Sequence, residues 1–217
     1  MYYKVRSTDS MSKLAKKFSV PENVLSAFNQ HVNGSLYTGD LIKIPNMEDI
    51  PKEATFLTGV TTDALIKKAK SAINKGIRYK LGMGGTNPSA KLPDQHNQCD
   101  CSGFVCWVLG LNRKTEIPFY KKFGGWIFTD SMVADINSDA GIFEKLNTPV
   151  AGCIVVYGAG AQIGHVGIVS EVAEGKMKKV IHCSSGNDKT FKDAIQETAP
   201  AVFDRADSFW GKYTDII

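Results

Sequence analysis

The spacing of apolar residues predicts local structure in several stretches of the chain. In residues 7–29, "STDSMSKLAKKFSVPENVLSAFN", Met11, Leu14, Ala15 and Phe18 recur at i, i+3, i+4 and i+7, a helical stripe with Asp9 or Ser10 as its cap. Val24, Leu25 and Phe28 share a face of a second short helix, with Pro21 suited to its first turn. "YYKVR" before the pair and "LYTGDLIKIP" after it read as strands, the second preceded by a turn at Tyr37–Asp40. The predicted order over residues 2–46 is strand, helix, helix, strand.

Residues 47–60, "MEDIPKEATFLTGV", carry one Pro and no sustained period, and read as a linker. Beyond them Leu65, Ala69, Ala72 and Ile73 predict a helix capped by Thr62. "CSGFVCWVLG" at 101–110 predicts another, with Phe104, Val105, Val108 and Leu109 on one face, Asp100 ahead of it and Gly110 at its end. "IGHVGIVSEV" and "KVIHCSSG" alternate as strands, and "AEGKM" between them supplies a hairpin turn. If the tip is Glu174–Gly175, Gly167 faces His182 and His165 faces Ser184, which makes the two histidines diagonal neighbours on one face. A slip of one residue would separate them.

A length of 217 residues fits a domain of ordinary size plus a smaller module, divided here as 1–46, a 47–60 linker and 61–217. With 43% hydrophobic and 22% charged residues the composition is that of a globular protein. No run approaches the roughly 18 to 20 apolar residues of a membrane span. The start, "MYYKVRSTDS", lacks the apolar core of a secretory signal, so the expectation is synthesis in the cytoplasm without the usual export. Residues 1–46 hold six Lys or Arg against three Asp or Glu, hence +3 of the formal net charge of +4. That is a mild preference for anionic surfaces, and no nucleic-acid partner is expected because a concentrated basic stripe is missing.

Five cysteines, an odd number, argue for free thiols rather than a disulfide framework. Cys101 falls at a helix N-terminus, where unpaired N–H groups would stabilise a thiolate and lower its pKa. Cys106 lies inside the apolar helix and reads as core, and Cys99 reads as incidental in the entering loop. His96, Cys99, Cys101 and Cys106 fit no familiar zinc spacing. In the hairpin register above, His165 can approach Cys101 while His182 orients its ring, the logic of nucleophile, base and orienter.

Residues 2–46, with "TDSMSKLAKKF" and "LYTGDLIKIP", resemble the LysM module. That resemblance implies binding of N-acetylglucosamine-containing glycans, with contacts expected at Thr8–Met11 and Asn29–His31. Residues 61 to about 190 resemble the NlpC-type family of papain-like cell-wall cysteine peptidases, through "GIRYKLGMGG", "DCSGFV", "GHVGIV" and "VIHCSSG" in the family's order. The resemblance implies an α+β fold, an antiparallel sheet packed on helices with the nucleophile at the start of the central helix. It implies Cys101 as nucleophile, His165 as general base and acid, His182 as the third polar residue and Tyr79 near the oxyanion. It also implies that Asp100 and Ser102 flank the nucleophile where many members recognise the free amine of a peptide stem, although Asp100 also suits a helix cap. No metal or organic cofactor is required.

Two departures stand out. The segment 111–162 is longer than in a compact member, and its Phe119, Tyr120, Phe123 and Trp126 are expected to wall a cleft. Cys153 stands where the family usually shows an acidic residue, and the tail through "FDRADSFWGKYTDII" has no counterpart, with Trp210 suited to core packing. The function expected is peptidoglycan hydrolysis, with glycan strands held by LysM and the γ-D-glutamyl to diamino acid bond of the stem cut by the second domain. The alternatives are an N-acetylmuramoyl-L-alanine amidase with the same triad, and a wall-binding protein with an inactive peptidase domain. A wall substrate without an export signal suggests a phage-type lysin or an injected toxin, and the oligomeric state is left open.

Overall fold

The computed structural model describes residues 2–18, 20, 25–26, 28–29, 32, 36–45, 61–138, 140–158, 160 and 163–214. They fall into two units, Met1–Val60 and Thr61–Ile217. The expected linker at 47–60, along with Pro21, Val24 and His31, lies outside the described residues.

In the first unit Tyr2–Lys4 (β1) pairs antiparallel with Leu41–Lys43 (β2), Tyr3 opposite Ile42. Met11–Phe18 forms a helix (α1), and Ser10 caps it by accepting the Lys13 N–H at 3.3 Å. Asp9, the other candidate cap, instead accepts from the Arg6 N–H and the Tyr3 hydroxyl. Met11, Leu14 and Ala15 of the stripe are buried with Val5, Val20, Leu25, Ile42 and Ile44. Asn29, expected to contact glycan, is 1% exposed. Its amide donates to Leu25 O at 2.7 Å and Lys43 O at 2.8 Å and accepts from the Lys43 N–H at 2.6 Å. It ties the second helical segment to β2 and presents nothing to a ligand.

The second unit opens with Thr62–Ser71 (α2), capped by Thr61, whose hydroxyl accepts the Ala64 N–H; the cap is one residue earlier than expected. Arg78–Tyr79 (β3) pairs in parallel with Gln98–Cys99 (β4). Cys99 is therefore a buried strand residue rather than part of a loop. The chain turns directly into Cys101–Val108 (α3), whose cap Asp100 accepts the Gly103 N–H at 2.8 Å. Every residue of α3 is buried, so this helix is apolar on all sides, as a helix enclosed by its own domain must be. Gly103 is required by close approach, since a Cβ there would lie 2.4 Å from Met83 O.

After the 3-10 helix Pro118–Phe123 come Thr129–Ile136 (α4), Phe143–Leu146 (β5), Ile154–Tyr157 (β6), His165–Ala173 (β7) and Lys176–Cys183 (β8). Ser185–Phe191 (α5), Ile195–Thr198 (β9) and Phe209–Tyr213 (β10) complete the unit. Six strands form one antiparallel sheet in the order β5-β10-β6-β7-β8-β9. The fold class is α+β, with α3 packed against β7 and β8. The tail that has no counterpart in the sequence resemblance supplies β10, which fills the slot between β5 and β6. Trp210 on β10 packs with Cys153, Val155 and Phe203.

Of the four aromatics expected to wall a cleft, Tyr120 is wholly buried and donates its hydroxyl to Asp135 at 2.6 Å. Phe119 is buried beside it. Phe123 and Trp126 line a separate hollow of about 420 Å³ with Phe128 and Arg113.

Candidate active site

The β7–β8 hairpin turns at Glu174–Gly175, both at positive φ, and its pairs Ile168–Ile181 and Val169–Val180 keep the register that this tip sets. An irregularity between Val169 and Val172 is absorbed before the histidines are reached. Gly167 lies against His182, so closely that a Cβ there would meet the His182 Cβ at 3.0 Å and Val180 Cγ1 at 2.5 Å. With that space open, His165 Nε2 stands 2.7 Å from His182 Nδ1. The rings meet edge to face, with centroids 4.9 Å apart.

Cys101, at the first position of α3, is 4% exposed. The backbone N–H of Val166, the residue after His165, points at its sulfur, and so does that of Ser102. These contacts bring the Cys101 thiol to the end of β7 that carries His165. The expectation of a thiolate does not survive burial. Burial raises the Cys101 thiol to about 12, and the Asp100 carboxylate pushes the same way. The two N–H groups and the Arg113 guanidinium pull down, but less. Burial likewise lowers His165 to about 3, with His182 adding to it, and His182 to about 4. The resting pair is therefore a neutral thiol beside a neutral imidazole.

Tyr79 lines the cleft, and burial keeps its phenol protonated, so it can donate a hydrogen bond. Asp100 and Ser102 are 1% and 3% exposed. Asp100 accepts from the Gly82 and Gly103 N–H groups and from Arg113, whose guanidinium also donates to Ser102 Oγ and Met83 O. Both oxygens of Asp100 are thus occupied within the protein, and the pair holds the 82–85 loop against α3. The thiols of Cys99, Cys106, Cys153 and Cys183 are free and buried, and His96 sits on an exposed loop.

Sequence reasoning missed two residues of this site. Phe203, on the 3-10 helix Pro200–Phe203, lies flat on the His165 ring and edge-on to His182. Thr198, at the end of β9, places its hydroxyl 3.0 Å from His182 Nε2. Neither carries a local motif, and β9 reaches His182 only by pairing with β8. The cleft above the histidines measures about 540 Å³ and is lined by Tyr79, Tyr157, Asn187, Thr198 and the exposed apolar Ile163 and Val202.

Family models match the chain in two places, a LysM domain at 3–45 and a CHAP domain at 92–187. The second span holds Cys101, His165 and His182, and stops short of Tyr79 on one side and of Thr198 and Phe203 on the other. The chain is similar to the "Probable peptidoglycan endopeptidase LytE" of Bacillus subtilis (strain 168), 26% identical over 160 residues. The matched region covers 69% of this chain and 43% of that protein, so the chain spans less than half the length of this relative. It is also similar to the solved NlpC/p60 domain of the peptidoglycan hydrolase SagA, at 20% identity and a TM-score of 0.39, over 70% of this chain and 99% of that one. The two family models together find an N-terminal LysM domain followed by a CHAP domain in this chain.

Proposed function

We propose that the chain is a peptidoglycan hydrolase in which the LysM unit holds glycan and the second unit cuts the peptide stem with Cys101, His165 and His182. The observation that carries this reading is the 2.7 Å bond between the two histidine rings, set beside a thiol at a helix head. The name of the LytE relative supports an endopeptidase, and the bond we favour is γ-D-glutamyl to diamino acid.

Burial leaves both groups neutral, so the reaction begins with proton transfer from the Cys101 thiol to His165 as the sulfur attacks the amide carbonyl. The Cys101 N–H, at a helix position with no partner inside the helix, and the Tyr79 phenol are the donors for the oxyanion. Its collapse breaks the C–N bond, and His165 gives the proton to the departing amine. Water then attacks the thioester, His165 takes the proton of that water, the C–S bond breaks and the sulfur recovers the proton. His182 accepts from His165 throughout and steadies the imidazolium.

The test is mass spectrometry of soluble products after incubation with purified peptidoglycan, beside Cys101→Ala. Fragments cut within the stem and absent from the variant support the proposal. Release of whole stems at the lactyl amide would make it an amidase, and binding without fragments would make it a wall-binding protein.

A further inference from the structure

The hydrogen bonds around the histidine pair have a direction, and Thr198 sets it. A threonine hydroxyl carries one proton. Thr198 Oγ1 donates that proton to Ala199 O at 3.0 Å. Toward His182 Nε2, also at 3.0 Å, it can then only accept, so Nε2 carries the hydrogen. The nearest competitor is the Asn187 amide, 3.5 Å from Nε2. Its two hydrogens point instead at His182 O and Ala194 O, at 3.2 and 3.3 Å.

Burial keeps both rings neutral, and a neutral imidazole has one donor and one acceptor. With its hydrogen on Nε2, His182 presents a bare Nδ1, which accepts from His165 Nε2–H at 2.7 Å. His165 is left with a bare Nδ1, the form that can take a proton from a thiol. If Thr198 donated to His182 instead, every step would reverse. His165 would then carry its hydrogen on Nδ1 and could accept nothing there.

We propose that Thr198, beyond the residues matched as a CHAP domain, is a positioning residue that fixes the tautomer of both histidines, so that His165 meets the Cys101 thiol as an acceptor. This rests on the reading of Cys101 as nucleophile and His165 as its base. Phe203 complements it: the stacked ring fixes the plane of His165, and Thr198 fixes its hydrogen.

Two variants of the full chain test this. Thr198→Val keeps the shape of the side chain and removes the hydroxyl, whereas Thr198→Ser keeps the hydroxyl. Ring-nitrogen NMR shifts of ¹⁵N-histidine-labelled protein read the tautomers directly, without activity. The wild type and Thr198→Ser are expected to show His182 and His165 both protonated at Nε2, and Thr198→Val to show a mixture. On soluble peptidoglycan fragments kcat is expected to fall on the order of 10²-fold in Thr198→Val with little change in KM, and to recover in Thr198→Ser. Wild-type shifts and kcat in Thr198→Val, or equal damage in both variants, would overturn the proposal. Full activity in Cys101→Ala would overturn the peptidase reading instead, while the nitrogen shifts would still decide the role of Thr198.

Discussion

Phe203 lies parallel to His165, with ring planes 7° apart and centroids 5.0 Å apart. The same side chain is 1% exposed and also meets Tyr157, with ring centroids 6.2 Å apart, and the Arg205 guanidinium lies over the Tyr157 ring at 4.1 Å from its centroid. A residue outside the matched CHAP span therefore sets the angle of the proposed base.

Truncating that ring separates stability from catalysis. Phe203→Ala is expected to cost about 3 to 5 kcal/mol in urea unfolding through the cavity it leaves. Phe203→Leu fills most of the volume and is expected to cost about 1.5 kcal/mol or less. It should still lower kcat several-fold on peptidoglycan fragments, because an aliphatic group cannot hold an imidazole flat. A Leu variant with wild-type kcat would show that the stack packs the core and does not orient the base.

Gly167→Ala addresses the hairpin. The added methyl would meet Val180 Cγ1 at 2.5 Å and His182 Cβ at 3.0 Å, so His182 must move. The expected result is folded protein, seen by circular dichroism, with kcat lowered by an order of magnitude or more and the His165–His182 bond lengthened in a crystal structure. Unchanged kinetics would mean that the 2.7 Å bond is dispensable.

The pH behaviour follows from burial. His165 and His182 stay uncharged above their lowered values of about 3 and about 4, and Cys101 stays a thiol below about 12. The rate profile kcat/KM of the free enzyme is therefore expected to be flat between about pH 5 and 8, rather than to rise near neutrality as a thiolate nucleophile would require. An inflection near the ordinary histidine value of 6.5 would contradict this.

Stability has the opposite character. Folded values below the unfolded 6.5 mean that the unfolded chain binds protons first as pH falls. The contribution of the pair is fully present above 6.5 and is lost as pH drops from there toward about 4, where His182 itself titrates. Each histidine adds a slope of about 1.4 kcal/mol per pH unit in that window. Urea unfolding at a series of pH values should show a shallower slope in His182→Asn, and an equal slope would remove the buried pair as the cause.

Removing Arg113 tests the helix cap. Asp100 and Arg113 are 1% and 6% exposed and meet at 2.8 Å. Arg113→Met leaves a buried carboxylate with no cation, and is expected to cost about 3 to 5 kcal/mol. Asp100→Asn in the same background should recover part of that loss, and no recovery would place the cost in packing alone.

The legible parts of this fold are those written in short range. The cap at Asp100, the helix it starts and the turn at Glu174–Gly175 depend on neighbours in sequence, and so does the diagonal placement of the histidines. The charge state of Cys101 was not legible, because a helix N-terminus shows in a sequence and the depth at which it is buried does not. Thr198 and Phe203 were missed for a related reason: the first reaches His182 only through β8–β9 pairing, and the second arrives from the turn that follows. Among the aromatics of 111–162, apolar character was plain, but which of them face inward depends on α4 and Asp135.

The place of β10 bears on how this domain comes into being. β5 and β6 are close in sequence yet do not touch as strands; a segment translated much later slides between them and bonds to both. Until it emerges from the ribosome, the facing edges of β5 and β6 have no strand partner between them, while β6, β7 and β8 can already pair beneath α3. Only the joining of β5 to the rest of the sheet depends on that segment. A chain ending at residue 187, where the CHAP match ends, would keep Cys101, His165 and His182 but lack both β9 and β10, leaving the slot between β5 and β6 empty.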